Sequence, residues 1–146
     1  MTMSEFQIVP AINISASGLE AENKRMEVIA NNVANAETSR GPDGKVFKRR
    51  QVVFAAKLAD AMSADSDLQQ MKGVELSEIS EDNRPPKRTY RPGHPDADKE
   101  GYVTLPDISP IEEMVDMMTA SRAYEANLSA MRMAKDMAGK ALDIMR

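Results

Sequence analysis

The predicted fold is α+β: two long helices at the chain ends, paired as an antiparallel coiled-coil-like unit, with a small β-rich middle domain between them. Three features of the 146-residue chain predict it. Ile12, Leu19, Met26 and Val33 recur at heptad spacing near the N-terminus, and Met117, Tyr124, Met131, Ala138 and Met145 do so near the C-terminus. Such a repeat keeps one side of a helix turned toward a partner over many turns. Between the two stripes, Pro and Gly interrupt short β-branched runs, which excludes a long helix there. The expected division is residues 1–36 with 107–146 as a terminal-helix domain, and 37–106 as the middle domain.

The first helix is expected over about residues 10–36. Ala16, Ile29 and Ala30 widen its apolar face, while Glu20, Glu22, Lys24, Arg25 and Glu27 fall mostly on the other side. Gly18 costs a helix interior about 1 kcal/mol relative to Ala. Beside Ala16 and Ser17 it either admits another backbone closely or is simply tolerated. Asn31, Asn32 and Asn35 then crowd the helix end. Their amides compete for backbone hydrogen bonds, so they either bond across a packed interface or turn the chain out of the helix. Gly41-Pro42-Asp43-Gly44 follows as a firm turn.

Residues 46–58 read as a strand grading into irregular or helical chain, and 63–70 as a loop or short helix. Residues 74–80, 87–90 and 102–105 read as short strands, with the acidic and Pro-rich stretch 81–86 joining the first two. The last helix has a marked start. Ser109 is an N-cap, Pro110 fits the first helical position, and Glu112 completes a capping box. With no later proline, this helix would run to the end of the chain, about 55 Å at 1.5 Å per residue. A compact domain of this size does not cover that length, so part of the helix must find a partner.

Composition agrees with a building block. Aromatics are 4% of residues and there is no Trp, against twelve Met. Such a core is thin, and Met adapts to inexact or repeated contacts. The formal net charge of -4 argues against nucleic-acid binding. Two basic groups, Lys45, Lys48, Arg49, Arg50 and Arg84, Lys87, Arg88, Arg91, lack interleaved aromatics and are read as solvated faces or partner contacts. With no cysteine, disulfides and thiolate chemistry are excluded. The longest purely apolar run, Val52 to Ala56, is too short for a membrane span. Residues 1–12 lack the pattern of a secretory signal, so any export is expected to use a route without one.

Chemistry is poorly supported. The one His lies in His94-Pro95-Asp96-Ala97-Asp98, where a turn with Asp side chains bonding their own backbone explains the same residues as a metal site would. Neither a phosphate-binding glycine loop nor a nucleophile elbow is present. The expectation is no enzyme, no cofactor and no metal. The enzyme alternative would be a metal-dependent hydrolase using His94, Asp96 and Asp98.

Three segments carry a family resemblance. Ser15 to Leu19 with Arg25 to Thr38 (SASGL and RMEVIANNVANAET), and Glu113 to Asn127 (EMVDMMTASRAYEAN), resemble the terminal signatures of bacterial flagellar rod and hook proteins. Tyr90 to Asp98 with Gly101-Tyr102-Val103 is similar to the short proximal-rod branch of that family. Pro106 to Pro110 departs from it, where the family more often has Asn.

The resemblance implies a structural subunit exported through the flagellar type III apparatus, its terminal helices forming an inner tube with the β-domain outside. Implied partners are copies of itself and neighbouring rod proteins; nucleic acid and a direct membrane span are not expected. The implied location is the basal-body rod in the periplasmic space. Assembly is expected through Ile12, Leu19, Met26, Ile29, Asn31, Asn32, Val33 and Asn35 on the first helix. On the last it is expected through Met114, Met117, Met118, Tyr124, Asn127, Leu128, Met131, Leu142 and Met145. Before assembly the terminal segments are expected to be poorly ordered. The competing reading is a helical cytoplasmic adaptor or secretion chaperone.

Overall fold

A computed structural model describes residues 3–41, 43–58 and 71–144. Pro42, the segment expected as a loop or short helix at 63–70, and Met145 lie outside them. Helix α1 runs Met3–Ala34 and α2 runs Pro110–Ile144. The first helix starts earlier than expected and includes Pro10, which supplies no backbone donor there. The second starts where the capping signal placed it. The Ser109 hydroxyl accepts from the Glu112 N–H at 3.5 Å, and the Ser109 carbonyl accepts from the Glu113 N–H at 3.1 Å. Glu112 and Glu113 set negative charge in the first turn, where the helix dipole favours it.

Four strands, β1 (Arg50–Leu58), β2 (Met71–Glu81), β3 (Lys87–Tyr90) and β4 (Tyr102–Leu105), pair as two antiparallel two-stranded sheets, β1 with β2 and β3 with β4. The fold is therefore α+β, as expected, with β3 and β4 on the expected residues. β1 begins at Arg50 instead of residue 46. Its ladder closes where the Asp82 N–H donates to the Arg49 carbonyl at 2.8 Å. Beyond that point the opposite chain runs into Pro85 and Pro86, which have no N–H to offer. The turn after α1 also forms, with the Gly44 N–H donating to the Gly41 carbonyl at 2.9 Å and Gly44 at φ 70°.

The β1–β2 hairpin lies against α1. Ser17 joins them: its hydroxyl donates to the Ile14 carbonyl at 2.7 Å and accepts from the Val74 N–H at 3.1 Å. Neighbouring Gly73, beside a register shift in the ladder, has φ 116°. The space confirms the need for glycine, since a Cβ there would lie 2.1 Å from the Ser17 Oγ.

The described buried apolar residues are few, half of them Ala and none aromatic: Ala21, Val28, Ile29, Ala36, Val103, Leu105, Ala120 and Ala134. The chain exposes 11246 Å², against about 7,400 Å² for a compact monomer of this mass. The thin core read from composition is thus present, and much apolar surface stays outside it.

Candidate functional site

The best-built contact in the molecule joins α1, β1 and α2 at a single side chain. Asn32 is 1% exposed. Its amide nitrogen donates to the Arg50 carbonyl at 2.8 Å and to Glu113 Oε2 at 3.0 Å, while its Oδ1 accepts from the Arg50 N–H at 2.9 Å. Asn32 thereby mimics a strand partner for Arg50, fixing the start of β1 to the end of α1. Glu113, also 1% exposed, receives Arg49 Nε on its other oxygen at 2.6 Å. A second guanidinium nitrogen of Arg49 stands 3.6 Å from Asp116. Both Glu113 oxygens and both polar atoms of the Asn32 amide have partners, which is the condition under which a buried charge pair persists.

A second meeting point lies further along both helices. A Cβ on Gly18 would sit 2.8 Å from the Asn127 amide nitrogen, so Gly18 admits that amide where any side chain would displace it. Both readings of the Asn-rich helix end hold, on different residues. Asn32 bonds across the packed interface, whereas the Asn35 amide donates back to the Asn31 carbonyl at 2.9 Å as the chain leaves the helix.

The deepest line of α2 is Glu113, Ala120, Asn127 and Ala134, of which Glu113, Ala120 and Ala134 are buried. The expected stripe of Met117, Tyr124, Met131 and Ala138 is only half-buried and flanks that line as the other half of one heptad seam. On α1, Ile29 and Asn32 are buried and Ile12, Leu19, Met26 and Val33 half-buried, while Asn31 is exposed; Asn35, just past the helix end, is half-buried. On α2, Asn127 and Leu128 are half-buried, and Met114, Met118 and Leu142 are exposed. The expected interface residues therefore divide into an inward set and an outward set.

The basic groups lie on exposed faces, as read, with only Arg49 half-buried, and several are paired within the chain. Arg49 is bound as above, Arg84 pairs with Asp82 and Asp107, Arg88 with Asp98, and Arg91 with Glu37. Asp82 is only two residues from Arg84, whereas Asp107, Asp98 and Glu37 are brought close by the fold. The His94 residues are likewise engaged singly. His94 Nδ1 accepts from the Asp96 N–H at 3.1 Å, and Asp96 holds Ser39 at 2.7 Å and Arg40 at 3.3 Å. Asp98 accepts from the Tyr102 N–H, which together with Arg88 and the Glu100 N–H holds its carboxyl below the usual carboxylate range. This loop is a clamp between the α1 exit and the β3–β4 hairpin.

Comparison with known proteins gives the contacts a context. The family described as flagella basal body rod protein matches residues 12–40, and that described as flagellar basal body rod FlgEFG protein C-terminal matches residues 99–144. The flagellar basal-body rod protein FlgC of Borreliella burgdorferi is 40% identical, with 93% of this chain and 96% of the relative covered. The chain belongs to the FlgC family of flagellar basal-body rod proteins. FlgC of Salmonella typhimurium is 39% identical over 90% of this chain and 93% of its own, and that of Bacillus subtilis 38% over 92% and 95%.

As a member of the FlgC family, the chain is a structural subunit of the rod in the flagellar basal body, and it is not an enzyme. Among the described residues no helix is long and apolar enough to cross a membrane. The two matched segments contain most of α1 and all of α2, and the Asn32–Glu113 bond joins one to the other. Sequence reasoning singled out Asn32 but missed Glu113, Arg49, Ser17 and Gly73. Glu113 had a signal: a carboxylate in heptad register with Ala120, Asn127 and Ala134 faces inward and requires a cation.

Proposed function

We propose that this FlgC-family subunit builds the rod through its terminal helices, which pair in opposite directions as a coiled-coil-like unit, residues 37–106 forming the outer part. The observation that carries this is the pair of helix contacts. Stepping from Gly18 to Asn32 along α1 corresponds to stepping back from Asn127 to Glu113 along α2. The large exposed surface supports the second half of the reading, that neighbours complete the unit. Burial of the remaining apolar area, at about 25 cal/mol per Å², then drives incorporation. Other copies and neighbouring rod proteins are the partners, reached after passage through the flagellar type III export apparatus.

Leu128, half-buried beside Asn127, tests the reading. Leu128→Asp is expected to be exported normally and to be absent from purified basal bodies, read by fractionation and immunoblotting. Incorporation at the wild-type level contradicts assembly through these helices.

A further inference from the structure

Oxidation chemistry singles out four side chains of α2. The chain has neither Cys nor Trp, so a two-electron oxidant meets no thiol or indole, and the thioethers of its twelve Met are the groups it attacks. Attack requires access. Among the described residues, Met114 is 54% exposed, Met118 55%, Met133 57% and Met137 60%. Met26, Met117 and Met131, on the heptad stripes, are only half-buried or deeper in the same helices. The four exposed residues form two pairs at i, i+4, Met114 with Met118 and Met133 with Met137, so the members of each pair adjoin on the helix surface. Accessible and protected sulfur thus stand side by side on one helix.

We propose that these two pairs are a reversible oxidation site for peroxides, at which the free subunit loses its capacity to enter the rod while remaining folded. The Sδ lone pair attacks one peroxide oxygen and the O–O bond breaks. The sulfur keeps that oxygen as a sulfoxide, and the other leaves as water. On the exposed surface of the free chain the new S=O dipole is solvated, so the fold tolerates it. Covered in an assembly without a donor, it carries the penalty of a buried polar group that lacks a partner. The inference rests on assembly through the terminal helices, and holds whichever neighbour covers α2. Exposure also makes the change reversible. Methionine sulfoxide reductase can reach each site, where a dithiol removes the oxygen as water and is oxidised to a disulfide.

Peptide mass spectrometry of the purified chain under hydrogen peroxide tests the site. Sulfoxide is expected at Met114, Met118, Met133 and Met137 at least threefold faster than at Met26, Met117 and Met131, and equal rates overturn the proposal. The consequence is read in cells that begin to express the chain under hydrogen peroxide, each chain being referred to its own untreated level in purified basal bodies. Wild type is expected to fall at least fivefold. A chain carrying Met114→Leu, Met118→Leu, Met133→Leu and Met137→Leu is expected to fall less than twofold. An equal fall in the two chains overturns the proposal, because the loss then arises elsewhere. So does an undiminished wild-type level when the unassembled pool carries the four sulfoxides. Failure of the terminal-helix reading itself shows separately, as normal incorporation of Leu128→Asp.

Discussion

Glu113→Ala is expected to be among the most destabilising single substitutions in the chain, costing about 3 kcal/mol or more. The side chain has 2% exposure and holds Arg49 with one oxygen and Asn32 with the other. Removing it leaves a guanidinium that is 19% exposed with only Asp116, at 3.6 Å, and strips the Asn32 amide of one acceptor. Leaving one member of a buried ion pair uncompensated carries a penalty of roughly this size. Glu113→Gln keeps the volume but offers one acceptor where two are used, so it is expected to cost about half as much. Because Asn32 also holds both backbone groups of Arg50, the loss spreads to β1. Urea unfolding of the purified chain measures both variants. Equal stability of wild type and Glu113→Ala would mean that the cluster does not hold the three segments together.

Gly73→Ala is the second. At φ 116° an L-residue is strained by about 1–2 kcal/mol, and the new Cβ would fall 2.1 Å from the Ser17 Oγ and 2.9 Å from its Cβ. Overpacking at a well-fitted contact adds about 1–3 kcal/mol. The Ser17 hydroxyl cannot yield by rotation alone without giving up its bonds to Ile14 and Val74. The expected result is a loss of about 3 kcal/mol, seen in hydrogen exchange as faster exchange over residues 50–58 and 71–81 with α2 little affected. Ser17→Ala in the same chain relieves the closer of the two clashes and is expected to restore about a third of the loss. Unchanged protection of the β1–β2 hairpin would contradict its docking on α1 through this contact.

Much of this architecture was legible in the sequence, and the limits have definite causes. Heptad spacing located both helices, and Ser109-Pro110 fixed the start of α2, because capping is local chemistry written in adjacent residues. Strands β3 and β4 were legible for the same reason, each being bounded by turn residues. The start of β1 was not, since it depends on where the opposite chain runs into Pro85 and Pro86. The phase of the α2 seam was legible only in half. Apolar side chains mark the flank of Met117, Tyr124 and Met131, while its deepest line holds Glu113, Ala120 and Asn127, which carry no hydrophobic signal. Asn32 stood out as an unusual helix residue, but Arg49 and Glu113, its partners in the cluster, are far from it along the chain. Arg84, Arg88 and Arg91 are solvated charges as read, but their pairing with Asp107, Asp98 and Glu37 depends on tertiary structure.

The absence of cysteine from the chain makes the most direct measurement simple. Met118→Cys and Met133→Cys place single thiols on the outward face of α2, at sites that are 55% and 57% exposed in the free chain. Maleimide labelling of the purified subunit is expected to be fast at both. In isolated basal bodies the same thiols are expected to label at least tenfold more slowly, because a neighbouring subunit covers them. Equal labelling in the free and assembled states would contradict a rod completed through the outward faces of its terminal helices.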